Sequence, residues 1–109
     1  GISHIVRGAD LLDSTPRQIW LQSCLGYTTP SYAHLPVASN AAGEKLSKQT
    51  LAQALEVGKA SMLLVNALRF LGQPAPLELQ RASLAEVWSW ARAHWDSAAI
   101  PPVRTIRLS

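Results

Sequence analysis

Two short β-branched runs near the start of the chain set the strongest limit on its fold. Ile2–Val6 closes on Arg7 and Gly8, and Ala33–Val37 follows a loop holding Tyr27, Pro30 and Tyr32. Each reads as a strand of about five residues. Two such strands do not make an independent sheet. Either they pair with each other, or they belong to a larger sheet. Between them Ser14-Thr15-Pro16 opens a helix, with Thr15 as N-cap, Pro16 as the first helical residue and Gln18 completing a capping box. Ile19, Trp20, Leu21, Cys24 and Leu25 give that helix a broad apolar face, and Gly26 ends it in a left-handed conformation.

Ser39–Glu44 is a polar turn containing glycine, and it leads into an exposed loop, Lys45–Gln49. Beyond residue 50 the pattern is helical. Ser61 caps a run with Leu63, Leu64, Ala67, Leu68 and Leu71, closed by Gly72 and Pro74. Ser83-Leu84-Ala85-Glu86 is a capping box, and Leu84, Val87, Trp88, Ala91 and Trp95 then share one helix face. Pro101-Pro102 ends the pattern, and the tail Arg104–Ser109 is expected to fray. The fold class expected is mainly α with a few short strands.

With 109 residues the chain makes one domain at most. A hydrophobic content of 48% argues for a folded piece, with either apolar surface that another segment covers or, more plainly, a compact core. No apolar run approaches the roughly 20 residues of a membrane span, and no targeting pattern precedes the first strand, so a cytoplasmic location is expected. Cys24 is the single cysteine, which excludes a disulfide framework, and its apolar setting predicts a buried thiol. With three histidines, no Cys/His cluster has metal-ligand spacing. The net charge of +3 is compatible with an anionic partner without requiring one.

Four short stretches carry chemistry. In Lys45-Leu46-Ser47-Lys48-Gln49, two lysines three apart on a serine-containing loop can reach polyphosphate oxygens. The same pentapeptide also fits a solvated surface loop. Arg7, at a strand end, is placed to fork onto a carboxylate, or to pair with Asp10 or Asp13. Asp10 suits a ribose contact or a turn cap. His34-Leu35-Pro36 either presents backbone groups to a base or ends a strand.

Read in order, Val6-Arg7-Gly8-Ala9-Asp10, Thr15-Pro16-Arg17-Gln18, Tyr32-Ala33-His34-Leu35-Pro36 and Gly43-Glu44-Lys45-Leu46-Ser47-Lys48 resemble the signature of the class I glutamyl-tRNA synthetase family. The last is similar to that family's "KMSKS" loop. Gln49, where ordinary members usually carry Arg, points to a truncated branch that lacks an anticodon-binding domain, as do the short run after the last helix and the segment Phe70-Leu71-Gly72-Gln73. The motifs stop at Gln49; beyond it the resemblance rests on length and pattern.

The resemblance implies the C-terminal portion of a Rossmann-like α/β catalytic domain with a following helical stem-contact region. The division it implies is residues 1–60 for the second half of the nucleotide-binding domain and 61–109 for the helical region. It implies an ATP-dependent ligase that activates L-glutamate as glutamyl-adenylate, with Mg2+ accompanying ATP. The truncated branch transfers that glutamate to queuosine in the anticodon of tRNA(Asp). Arg7 would bind the substrate's side-chain carboxylate. Lys48 would be the catalytic, ATP-contacting lysine, supported by Lys45 and Ser47, with Leu35 near the adenine and Asp10 a secondary contact. The family's first signature, "HIGH", is absent from these residues, as are its substrate loop and a glutamate-contacting Tyr. The chain is therefore expected to lack turnover without the missing N-terminal half of the protein. Cys24 matches none of the family's N-terminal zinc ligands, so no metal is expected here.

Two readings compete: a fragment of an ordinary glutamyl-tRNA synthetase, and a basic helical module that binds nucleic acid or protein without chemistry. For the helices, core or interface packing, rather than base stacking, is the plain account of Trp88, Trp90 and Trp95. Trp90 falls off the apolar face and is the expected contact residue, with Arg69, Arg81 and Arg92 facing phosphates or solvent.

Overall fold

A parallel strand pair needs a crossover of a dozen or more residues, and residues 9–30 supply it. A computed structural model describes residues 1–48 and 54–108. In it strand β1, His4–Gly8, lies parallel to β2, Ser31–Leu35, with Arg7 opposite His34 and Gly8 opposite Leu35. The connection is a 3-10 turn, Ala9–Ser14, running straight into helix α1, Thr15–Cys24. Strand β3, Val37–Ser39, pairs in parallel with β4, Thr105–Arg107.

By contact density the chain divides into two compact units: Gly1–Gln49 with Pro102–Ser109, and Thr50–Pro101. The first holds all four strands. It leaves large apolar groups in water: Val6 on β1 is 66% exposed and Trp20 on α1 65% exposed. Parallel strands are normally covered on both faces, so the open apolar surface fits a sheet that continues elsewhere.

The second unit has its own core. Helices α2, Ala60–Phe70, and α3, Leu84–His94, bury Val65, Leu68, Val87 and Ala91 around Ala75, with Leu64, Leu79, Ala82 and Trp90 packed against them. At its centre Gln73 is fully buried. Its Nε2 donates to the carbonyls of Leu71 (3.0 Å) and Asp96 (2.9 Å), and its Oε1 accepts from the Asp96 amide (2.9 Å). The chain reaches Gln73 through Gly72, which has φ +77°; any Cβ there would run into the Ala99 carbonyl oxygen.

Several expectations are corrected. The first strand is His4–Gly8, not Ile2–Val6. The second run is two strands, split by Pro36, which has no N–H for a ladder. Thr15 is not the N-cap: Ser14 is already helical, because the preceding 3-10 turn feeds α1 directly, and no capping box forms. Ser61 lies inside α2, which starts at Ala60 behind a 3-10 turn at Val57–Lys59. Cys24 is exposed, since α1 turns that face outward. The tail does not fray before residue 108: Val37 N–H donates to Arg104 O (3.0 Å), Leu108 N–H donates to Ser39 O (2.9 Å), and Arg104 pairs with Asp13. Trp90 leans on the core and stacks on His94, whereas Trp88 is 47% exposed. Trp95 has left the helix at the C-cap. The Ser83–Glu86 capping box and the left-handed Gly26 (φ +74°) are as expected.

Two outcomes follow from this packing. Gln73→Leu strands the Asp96 amide and two carbonyls, costing about 2 kcal/mol, and hydrogen exchange at Asp96 should accelerate by more than tenfold; unchanged exchange contradicts the assignment. Glu86 accepts from the Ser83 hydroxyl and backbone amide, and these bonds hold its carboxyl below the ordinary 4.5. Its contribution to the start of α3 is therefore complete above about pH 4.5 and lost as pH falls through the lowered value. Ser83→Ala should weaken that acid dependence, read by helix content against pH.

Candidate functional site

Parallel register places Arg7 beside His34, and alternation on β2 puts Tyr32 on the same face as His34. The three form one polar group. The Arg7 guanidinium carbon sits 5.2 Å from the Tyr32 ring centroid, and the Tyr32 and His34 rings stack at 6.0 Å with planes 7° apart. Arg7 Nε donates to His34 Nε2 (3.1 Å). Its Nη2 donates to Thr15 Oγ1 (2.8 Å) and, at longer range, to Leu11 O (3.4 Å). Thr15 Oγ1 and His34 Nε2 lie 3.2 Å apart. One edge of the guanidinium thus meets two acceptors close together, while Nη1 has no hydrogen bond among the described residues. Tyr32 is fixed in turn by Gln22 Nε2, which donates to its hydroxyl (3.0 Å).

The carboxylates near Arg7 in sequence are engaged with other cations. Arg104 donates to Asp13 at 2.8 Å, and that bond holds the Asp13 carboxyl below its ordinary value and pushes the Arg104 guanidinium up. Lys45 Nζ lies 2.7 Å from Asp10 Oδ2. Both Lys45 and Asp10 are about a third exposed, so the pair positions more than it stabilises.

Lys45 follows a closed turn. Asn40 N–H donates to Glu44 O (2.9 Å), Gly43 N–H to Asn40 O (3.0 Å) and Glu44 N–H to Asn40 Oδ1 (2.9 Å). An antiparallel bridge from Ser39 to Lys45 completes it. Lys45 is therefore not part of a free loop, as its sequence suggested; Leu46–Lys48 continues as a 3-10 turn with Ser47 exposed. Gln49 lies outside the described residues. Leu35 ends β2 opposite Gly8, where an added Cβ would lie 2.5 Å from Asp10 Oδ1 and 3.0 Å from Val37 Cγ1. Arg69, Arg81 and Arg92 belong to the second unit; Arg69 Nη1 donates to the Ala75 carbonyl (2.8 Å). Among the described residues no group of three or more His, Cys, Asp or Glu could hold a metal, and no helix is long and apolar enough to cross a membrane.

Sequence reasoning named Arg7 but missed what holds it: His34, Thr15 and Tyr32. The signal was present in Tyr32-x-His34, whose rings share a strand face once β2 is known to pair with β1. Arg7, Asp10, Lys45 and Leu35 all gather where β1 and β2 end. At the carboxyl end of parallel strands, an arginine with one open edge can read a carboxylate, and a lysine turn alongside can meet phosphate oxygens.

The model of the catalytic domain of class I tRNA synthetases (E and Q) matches residues 1–98. A protein of Dechloromonas aromatica named Glutamyl-Q tRNA(Asp) synthetase is 65% identical over 108 residues, covering 99% of this chain and 36% of its own length. Relatives of the same name in Aromatoleum aromaticum and Neisseria meningitidis are 58% and 54% identical over 101 residues, covering 93% of this chain and 32% and 34% of theirs. The chain spans about a third of the length of these relatives. Thr15→Val, which keeps the shape and removes the hydroxyl, should cost about 1–2 kcal/mol by stranding Arg7 Nη2, measured by thermal denaturation of the full-length protein.

Proposed function

This chain belongs to the class I tRNA synthetases (E and Q), within the catalytic domain, and on that premise we propose that it supplies the glutamate- and ATP-contacting second half of a glutamyl-Q tRNA(Asp) synthetase. The observation that carries the reading is that two cationic arms meet at one short stretch: Arg7 stands on β1, and Asp10, three residues on, is ion-paired to Lys45 of the lysine turn.

In this reading Arg7 selects the side-chain carboxylate of L-glutamate. Glutamine offers the same shape without the charge, so the guanidinium discriminates through the charged form of the hydrogen bond. The α-carboxylate of glutamate attacks the α-phosphorus of ATP, giving glutamyl-adenylate and pyrophosphate. Charge builds on the phosphate oxygens as the bond from the α-phosphorus to the leaving pyrophosphate breaks, and Lys48 stabilises it, with Lys45 and Ser47 supporting the turn; Mg2+ would accompany the nucleotide. Leu35 borders the adenine, and Asp10 is a secondary contact. Glutamate then passes to queuosine in the anticodon of tRNA(Asp), releasing AMP. Residues 1–60 would complete the nucleotide-binding domain, and residues 61–109, apart from the tail strand that pairs with β3, would form the stem-contact region, in a cytoplasmic enzyme.

The test uses the full-length protein. Glutamate-dependent ATP–pyrophosphate exchange should fall about a hundredfold in Lys48→Ala, in kcat more than in KM for glutamate. Radiolabelled glutamate should appear on queuosine-containing tRNA(Asp) and be absent from tRNA(Asp) lacking queuosine. Transfer to the 3′ end of tRNA(Glu) instead would assign the chain to an ordinary glutamyl-tRNA synthetase. The isolated 109-residue chain should give no exchange above its own Lys48→Ala variant.

A further inference from the structure

A guanidinium on a four-bond stem is a poor ruler unless something fixes its plane. Here three contacts fix it, from two elements. Thr15 at the start of α1 takes Nη2, Tyr32 on β2 lies against the face, and His34 on β2 takes Nε. The histidine is the unusual member. Arg7 Nε always carries its proton, so His34 Nε2 must accept, and the imidazole is neutral with its proton on Nδ1. A doubly protonated ring has no lone pair to offer and would set a second positive charge 3.1 Å from Arg7 Nε.

We propose that neutral His34 is a positioning residue for substrate capture. With Thr15 it occupies the Nε–Nη2 edge of Arg7, leaves Nη1 as the donor for the glutamate side-chain carboxylate, and releases that alignment when it protonates. The proposal rests on the reading of Arg7 as the carboxylate binder. It makes glutamate capture a function of the charge on a residue that need not touch glutamate.

The charged and titratable groups on the elements packed against His34 are few. They are Arg7 and, at the far end, His4 on β1; Tyr32 on β2 itself; Asp10 and Asp13 on the 3-10 turn, paired with Lys45 and Arg104; and the exposed Arg17 on α1. The carboxylates are committed to other cations, Asp10 to Lys45 and Asp13 to Arg104, and so do not offset Arg7 beside a protonated His34. Free glutamate keeps its side-chain carboxylate ionised above about pH 5, so the substrate itself does not mask the effect.

The experiment is the pH dependence of glutamate-dependent ATP–pyrophosphate exchange by the full-length protein, with KM for glutamate and for ATP read separately. In the wild type, KM for glutamate should rise on the acid side, as protonation takes from His34 Nε2 the lone pair that accepts from Arg7, while KM for ATP stays within about twofold. His34→Ala should raise KM for glutamate about tenfold at neutral pH, the loss of one hydrogen bond to a charged group. His34→Gln offers an amide oxygen that accepts from Arg7 Nε and does not titrate. It should hold KM for glutamate within about threefold of wild type and abolish the acid-side rise. A merely structural histidine would not show that rescue together with a flattened pH profile.

The proposal is overturned if His34→Ala leaves KM for glutamate unchanged while Arg7→Ala raises it, or if His34→Gln keeps the wild-type acid-side rise. If Arg7→Ala itself leaves KM for glutamate unchanged, the reading of Arg7 falls, and the proposal falls with it. Should His34→Ala not fold, the wild-type and His34→Gln profiles decide alone.

Discussion

The edge-on hold of His34 Nε2 and Thr15 Oγ1 on the Arg7 guanidinium ties the first unit to its chemistry. It joins β1, β2 and α1 through side chains, where the two-stranded ladder alone would be marginal. Thr15 is 8% exposed, so its hydroxyl must find partners inside the fold. Arg7 supplies one, and the Leu11 carbonyl supplies another at longer range. The same bonds that satisfy a buried hydroxyl fix the plane of an arginine at the carboxyl end of the strands. Stability and positioning here have one cause.

The turn that carries Lys45 depends on a separate device. Asn40 and Glu44 close it through backbone and side-chain bonds, and the Ser39–Lys45 bridge ties it to β3. Asp10 then pins Lys45 from the segment following β1. In unit two, Gln73 replaces what a longer helical core would supply. One amide side chain satisfies two carbonyls and one N–H from segments 23 or fewer residues away, and lets two three-turn helices close over small residues such as Ala75 and Ala91.

Local signals were legible and long-range pairing was not. Ser83 and Glu86 announce α3 because a capping box is a four-residue event, and Gly26 and Gly72 mark helix ends because a left-handed residue there is a local need. The tail strand Thr105–Arg107 has no such signal; it exists because β3 leaves a backbone edge for it, more than sixty residues away in sequence. Thr15 has good N-cap chemistry, yet the 3-10 turn before it moves the helix start and leaves its hydroxyl for Arg7. Trp90 and Trp88 exchange the places read from periodicity because α3 rotates to seat Val87 and Ala91. At the site, Arg7 and the lysine turn were legible as residues, in the order that resembles the synthetase signature. That Arg7 is held by His34 required the register of β1 against β2, which the composition of neither strand encodes.

The central claim is that Arg7 reads the charge of the substrate side chain. Its most direct test is the ratio of kcat/KM for glutamate to that for glutamine in ATP–pyrophosphate exchange, compared between the full-length protein and its Arg7→Gln variant. The account predicts that the wild-type preference for glutamate collapses by about a hundredfold or more, through loss of glutamate activation. A preference that survives Arg7→Gln intact would contradict it.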